Sequence, residues 1–276
     1  MSHSLEFTET DFIKISRLVY DQCGINLHDG KKELIKARLG KRIRAGNFAS
    51  FRDYYDYVLQ DQSGDEMIQL LDSISTNFTH FFRENQHFEY LKHDFLPSRK
   101  ARVGNGSKKL RIWSAGCSTG EEPYTIAITL LESLSAASGL DMKILATDLS
   151  TKVLATAQAG VYLREKVQSL PQELIRKYFL RGENRWQNYV KIKPQVKSLV
   201  TFQRLNFMNS FSFNEPFDCI FCRNVMIYFD KETRTHLVNR FYEQLDKGGI
   251  FFIGHSESLS GMDHPFQYVK PAIYRK

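Results

Sequence analysis

The stretch from Trp113 to Thr125, W-S-A-G-C-S-T-G-E-E-P-Y-T, holds the residue types and spacing most suggestive of ligand chemistry. Before it runs Lys109-Leu110-Arg111-Ile112-Trp113, with the β-branched and aromatic residues of a strand. After it runs an apolar stretch, Ile126 to Leu131, that continues a helix through Glu132. Between them lie Gly116 and Gly120, then Glu121, Glu122 and Pro123, the proline suiting a first helical turn where its missing N–H costs nothing. A strand, a glycine turn and a helix N-terminus make a nucleotide-type pocket at the strand's carboxyl end. The spacing is neither G-x-G-x-x-G nor that of a P-loop. Two glutamates repel phosphate and favour a ligand carrying positive charge or hydroxyls. S-adenosylmethionine, with an amine, a sulfonium and a ribose, is such a ligand; an ordinary strand-to-helix turn is the alternative.

Further candidates sit at other strand ends, where open α/β sheets collect their sites. Asp148 follows Lys143–Thr147 and could accept bonds from both ribose hydroxyls; alternatively Asp148 or Ser150 caps the next helix. Arg223 and Asn224 leave the apolar run Phe217–Cys222, with Tyr228 a little further on. Arg223 could touch substrate or pair with a local carboxylate, and Tyr228 could be merely packed. Asn206 follows Thr201–Leu205 at a third strand end.

The elements that must position these residues fall into two patterns. Up to about residue 75 the apolar spacing is helical: 8–23 with Thr8 or Thr10 as cap, a helix through Leu34, Ile35, Leu39 and Ile43, 51–60 capped by Ser50, and 65–73. Thr76–Arg83, T-N-F-T-H-F-F-R, separates these from a helix over 87–96 that should end at Pro97, and 98–108 reads as a linker. From Lys109, strands at 110–114, 143–147, 199–204, 217–222 and 249–254 alternate with helices near 122–137, 150–159 and 231–245, with 268–274 as a closing strand. The expected fold class is α/β, a doubly wound sheet behind an all-helical N-terminal domain. The segment 182–198 breaks the alternation and reads as a small antiparallel excursion. The expected boundaries are 1–84 for the helical domain, 85–108 for helix and linker, and 109–276 for the α/β domain.

The totals exclude several classes. With 276 residues and 42% hydrophobic content the chain can bury a real core, and no run approaches the ~18 apolar residues of a membrane span. The N-terminus lacks the basic and apolar regions of a secretory signal, so a cytoplasmic protein is expected. Cys219 and Cys222 form C-x-x-C inside a buried-strand pattern, so neither disulfide nor metal is expected. Of the net charge of +7, Lys31–Arg44 carries seven basic residues against one glutamate, a local patch suited to an acidic partner or a solvated helix face. Nucleic acid is not expected, since no recognised binding motif accompanies this helix.

The segments N-F-T-H-F-F-R, S-A-G-C-S-T-G-E-E-P-Y-T, A-T-D-L-S, F-C-R-N-V-M-I-Y-F and G-G-I-F-F-I-G-H-S-E-S-L resemble, in order, those of the chemotaxis receptor methyltransferases, the CheR family. The resemblance spans essentially the whole chain. It implies an enzyme, a protein-glutamate O-methyltransferase that uses S-adenosylmethionine, releases S-adenosylhomocysteine and acts on the cytoplasmic helices of bacterial chemoreceptors. Its fold would be a class I methyltransferase with a small β-subdomain. By position the resemblance implies cofactor contacts from Asn77, Thr79, Arg83, Gly116, Glu122, Asp148, Asn206, Phe207, Arg223 and Asn224, with Glu121 beside Glu122. Arg83 and Tyr228 would act at the methyl group.

A glutamate carboxylate, pKa ≈ 4.3, is ionised near neutrality and needs no general base. The enzyme must align it with the methyl group and exclude water, and guanidinium groups such as Arg83 suit that task. Lys32, Lys36, Arg38 and Arg42 would then dock the acidic receptor helices, with the enzyme expected to be monomeric and not inserted in the membrane. Family members that bind the receptor's C-terminal pentapeptide carry a glycine-rich insertion in the β-subdomain. Leu180–Trp186 has a single glycine, so no pentapeptide tether is expected.

Overall fold

A computed structural model describes residues 6–75, 77–103, 109–134 and 139–276. The chain begins with four helices, α1 (Glu9–Cys23), α2 (Lys32–Ala45), α3 (Phe51–Gln60) and α4 (Asp65–Ile74). Thr8 is the cap of α1: its hydroxyl accepts from Asp11 N at 3.1 Å while the Asp11 carboxylate accepts from Thr8 N at 2.9 Å. This reciprocal box satisfies two orphan donors of the first turn. Gly24, at φ +72°, ends α1 in the left-handed conformation that glycine adopts without strain. Phe12, Ile15 and Val19 of α1 meet Ile35, Leu39 and Ile43 of α2 and Tyr54 of α3 in a core of their own, against which Leu149 packs from later in the chain.

The next helical stretch departs from expectation at Pro97. α5 (Gln86–Tyr90) passes through a π turn, Leu91–Phe95, into α6 (Leu96–Val103). The wider turn lies where the proline ring would otherwise press on the preceding carbonyl. Residues 98–103 are therefore helix rather than linker, and 104–108 of that linker lie outside the described residues.

The second unit is a seven-stranded sheet in the order β6-β2-β1-β7-β8-β10-β9. Its strands are β1 (Lys109–Ala115), β2 (Asp141–Asp148), β6 (Val200–Arg204), β7 (Phe217–Cys222), β8 (Leu245–Ile253), β9 (Gln267–Lys270) and β10 (Ile273–Arg275). The first five run parallel, and the last two form an antiparallel hairpin on β8 instead of the single closing strand expected. Ala272, at φ +61°, makes the turn between them. Helices α7 (Glu121–Ser133), α8 (Thr151–Ala159) and α11 (Lys231–Gln244) connect the parallel strands.

Alternation along the strands builds two cores. Ile112, Ile144, Phe221 and Phe252 pack with Phe88, Leu91 and Tyr124 on one face. Trp113, Ile220 and Phe251 pack with Val238 and Phe241 of α11 on the other. Fully buried Trp113 is the hub of that second core, with Phe207, Phe211, Phe213, Phe217 and Phe241 ringed about it, and its indole N–H donates to Thr147 Oγ1 at 2.9 Å.

A three-stranded antiparallel sheet, β3 (Val161–Leu163), β5 (Tyr189–Ile192) and β4 (Phe179–Arg181) in that order, stands beside the main sheet. The excursion expected over 182–198 supplies only its central strand and α10 (Pro194–Lys197), with α9 (Gln172–Tyr178) packed before β4. The subdomain thus begins at Val161, earlier than the sequence pattern suggested. Residues 161–198 also carry nine Lys and Arg against three Glu, so positive charge is not confined to α2.

Candidate active site

Strand order reverses at β1, whose neighbours are β2 on one side and β7 on the other. The loops leaving these strands splay apart there and leave a crevice, the ordinary ligand position of an open α/β sheet. In this chain the crevice is roofed by the helical domain into a single cavity.

The glycine loop forms its floor. Gly116 N and Cys117 N both donate to Thr147 O at 2.8 Å, tying the loop to β2. Gly116 has φ +88°, and a Cβ there would lie 2.3 Å from Val225 Cγ2. Gly120, at φ +92°, would place a Cβ 2.8 Å from that of Ala157. Both positions need glycine for conformation and for space. Glu122 lines the cavity, whereas Glu121 turns away: it is fully buried and pairs with Lys166 of the small-sheet subdomain, with a hydrogen bond from Thr119 Oγ1 at 2.6 Å. Glu121 is therefore not a cavity residue.

Asp148 also lines the cavity. Its Oδ2 accepts from Ser118 N at 2.8 Å and its Oδ1 from Ser150 N at 3.0 Å. The cap of α8 is Ser150, which accepts from Val153 N, so the capping role falls to the serine. Burial raises the Asp148 pKa, and the backbone donors oppose that shift.

Arg223 is the most constrained group of the site. Its side chain is 2% exposed; Nη1 donates to Glu122 Oε2 at 2.9 Å and Nη2 to Glu84 Oε2 at 3.0 Å and to the Arg83 carbonyl. Ser114 Oγ donates to the other Glu122 oxygen at 2.7 Å. Burial raises the Glu122 pKa against the opposing effects of Arg223 and Ser114. Burial would raise Glu84 too, but Arg223 outweighs it and holds that carboxyl below its usual value. A guanidinium held by two carboxylates anchors the pocket and is not presented to a substrate carboxylate. Arg83 is half-buried in the cavity wall and donates to the Phe78 carbonyl at 2.9 Å.

Asn77, Thr79, Asn206, Phe207, Asn224 and Tyr228 complete the expected set, and all line the same cavity. The Asn77 carbonyl accepts from Ser118 Oγ at 2.9 Å. The Asn206 amide donates to Gln22 O at 2.7 Å and accepts from Met208 N at 3.0 Å. Tyr228 lies beneath Lys31, whose Nζ is 5.0 Å from the ring centroid.

The helical domain contributes more than a roof. Asn26 N donates to Tyr228 O at 2.8 Å, Tyr20 Oη to Asp230 Oδ2 at 2.6 Å, and Lys31, Leu34 and Arg38 face the cavity. Of the four basic residues expected to meet a receptor, Arg38 bonds the Ile74 and Ser75 carbonyls, and Arg42 clamps buried Glu66, with Nε 2.7 Å from Oε1. Lys32 pairs with Glu9 at 2.6 Å, and Lys36 is half-buried. Arg42 is thus turned inward to hold α2 against α4, and the outward basic face is narrower than the sequence suggested.

Glu84, His80, Ser118 and Lys31 line or brace the site and were not singled out from sequence. Glu84 directly follows the N-F-T-H-F-F-R motif, the one signal that could have marked it. Among the described residues, Glu84, His87 and His255 form the one group of three close enough to suggest a metal. Glu84 is already held by Arg223 there, whose charge disfavours a cation, so no metal is assigned. All four cysteines are buried thiols.

Sequence comparison places this geometry in context. Residues 10–75 match the model of the CheR methyltransferase all-alpha domain, and residues 77–274 match that of the CheR methyltransferase SAM-binding domain. The chain is 40% identical over 276 residues to a chemotaxis protein methyltransferase of Borreliella burgdorferi, covering 99% of this chain and 96% of the relative. It is 36% identical to a chemotaxis protein methyltransferase of Escherichia coli over 99% of this chain and 93% of the relative.

Proposed function

The chain belongs to the CheR methyltransferase family, and from that premise we propose that it methylates glutamate side-chain carboxylates of bacterial chemoreceptors. It is an S-adenosylmethionine-dependent enzyme. The cradle fits this cofactor: acidic Glu122 and Asp148 face the space beside the glycine loop, where an amine and ribose hydroxyls would find acceptors.

The observation that carries the reading is the division of the cavity's charge. Its acids, Glu122 and Asp148, lie on the side of the sheet, where Arg223 is taken up by Glu122 and Glu84; the other cations, Lys31 and Arg38, come from the helical domain, with Arg83 just after it. The acidic side suits an amine and ribose hydroxyls, and the basic side suits an incoming carboxylate. When bound, S-adenosylmethionine supplies the electrophilic methyl on its sulfonium. Arg83 orients the ionised carboxylate for in-line attack, and Tyr228 donates a hydrogen bond beside the methyl. Arg223 holds Glu122 and Glu84 in place behind them. No proton need be removed from the substrate, in keeping with a cavity that, among the described residues, presents no base paired to a nucleophile. The products are a glutamate methyl ester and S-adenosylhomocysteine.

On α2, Lys32 and Lys36 steer the acidic receptor helices. Asn77, Thr79, Asn206, Phe207 and Asn224 contact the cofactor around the same cavity. The β4–β5 connection holds one glycine, which supports recognition without a pentapeptide tether. Methyl transfer is tested by incubating the enzyme with tritiated S-adenosylmethionine and chemoreceptor-bearing membranes, then treating with alkali. Labelled methanol released from receptor bands is expected; alkali-stable label would point to another acceptor atom. Tight calorimetric binding of a receptor C-terminal pentapeptide would overturn the tether-free reading.

A further inference from the structure

The motif G-H-S-E-S-L at 254–259 follows β8 and takes no part in the chemistry above. Its glutamate makes an unusual set of bonds. Glu257 Oε2 accepts from Gly254 N at 2.6 Å and from Asn224 N at 2.9 Å, and Oε1 accepts from Ile227 N at 3.2 Å. Two of these three donors belong to the short loop that carries Asn224 and Tyr228 into the cavity.

That loop needs an external brace. Asn224 turns the chain at φ +58°, a left-handed conformation that asparagine tolerates better than most residues with a Cβ. The segment then makes a single 3-10 turn, Met226–Tyr228, too short to hold its own shape. Gly254 lets the partners close: a Cβ there would lie 2.5 Å from Asn224 Nδ2 and 2.9 Å from Glu257 Oε2. Leu259, fully buried, anchors the segment beyond the glutamate.

We propose that Glu257 is a positioning residue for methyl transfer, its two carboxylate oxygens holding the Asn224–Tyr228 loop at the cavity. The proposal rests on the reading of Asn224 as a cofactor contact and Tyr228 as a methyl-site residue. Burial raises the Glu257 pKa, and the backbone donors oppose that shift. Glutamine in its place has the same shape but one acceptor oxygen, and its NH2 would face a backbone N–H. The loop must then move, and displacements near 1 Å at a reacting group cost on the order of 100-fold in rate.

The test is a cycle of Glu257→Gln, Tyr228→Phe and the double variant, with kcat for receptor methylation and calorimetric affinity for S-adenosylhomocysteine as readouts. Glu257→Gln is expected to lower kcat about 10- to 100-fold and to weaken S-adenosylhomocysteine through Asn224. In the Tyr228→Phe background its effect on kcat should shrink to a few-fold at most, because the two residues act as one unit. Retention of kcat within about twofold, or losses that multiply in full, would overturn the proposal. Should Glu257→Gln not fold, Glu257→Asp, which keeps the charge but falls one methylene short, takes its place in the same cycle. If the wild type binds S-adenosylhomocysteine but leaves receptors unmethylated, the substrate reading fails alone. Affinity then decides on Glu257: weakened binding in the variant sustains the proposal, and unchanged binding ends it.

Discussion

Arg223 Nη1 lies 2.9 Å from Glu122 Oε2, a pair that joins the loop after β7 to the first turn of α7 across the strand-order reversal. Both side chains are largely buried, and Glu84 binds the same guanidinium from the segment joining the two domains. The three groups are therefore a connector between domains, with Arg223 and Glu122 also in the wall of the pocket. Removing one member of a buried pair leaves the other charge desolvated and uncompensated, which typically costs about 3–5 kcal/mol. Glu122→Ala is expected near the lower end, because Glu84 still neutralises Arg223. Urea unfolding should show it, with a parallel loss of S-adenosylhomocysteine affinity; an unchanged midpoint would argue against the connector role.

Gly116→Ala meets two obstacles at once. The new methyl group collides with Val225, and alanine is strained at φ +88°. Cofactor affinity should fall at least tenfold. Gly116→Ala combined with Val225→Ala relieves only the collision, so affinity should return in part. Full recovery on calorimetry would mean that backbone conformation at this position is unimportant.

His87 gives a pH dependence of defined sign. The residue is fully buried, neither ring nitrogen has a hydrogen-bond partner, and burial, then the Arg223 charge, lower its pKa to about 3. An unfolded histidine takes up its proton near pH 6.5, whereas the folded one does not until about pH 3. Over that window the unfolded state binds more protons, so stability falls as pH falls, with a limiting slope of about 1.4 kcal/mol per pH unit from this group. His87→Phe should flatten the stability profile between pH 6.5 and 5. An unchanged slope in chemical denaturation would show that His87 is protonated in the folded state.

Two basic residues of α2 should separate by their effects. Arg42 clamps Glu66, whose other contact is the Tyr54 hydroxyl at 3.0 Å. Arg42→Ala strands a buried carboxylate and should destabilise the helical domain by about 2–3 kcal/mol. Lys36→Glu touches no such network and should leave the unfolding midpoint unchanged. It should instead lower kcat/KM for receptor several-fold at low salt, with the difference shrinking as salt is added. Salt-independent loss for Lys36→Glu would remove α2 from receptor steering.

Much of this architecture was legible because it depends on local rules. The Thr8 capping box, the glycine stop at Gly24 and the strand–glycine–helix signal around Gly116 are each specified by a few adjacent residues. Likewise, strand ends could be found from apolar runs, which put Asp148, Asn206, Arg223 and Asn224 on one rim. What escaped depends on distant partners. β3 and β4 are three residues each and owe their existence to β5, so no periodicity marked them. A π turn absorbed Pro97, which a local rule treats as a stop. Arg42 faces inward because Glu66 waits on α4, and Glu84 and Glu257 became site residues only when folding brought Arg223 and the Asn224 loop to them.

The central claim is that a carboxylate, aligned by Arg83 in the cavity between the two domains, takes the methyl group. The most direct measurement is the single-turnover rate of methyl transfer to receptor by Arg83→Ala, at saturating S-adenosylmethionine. We expect a loss on the order of 100-fold, since an orienting guanidinium acts chiefly in the transition state. Saturation with cofactor removes any weakening of its binding from the comparison. Transfer at the wild-type rate would contradict the account and leave the carboxylate to be oriented by another group.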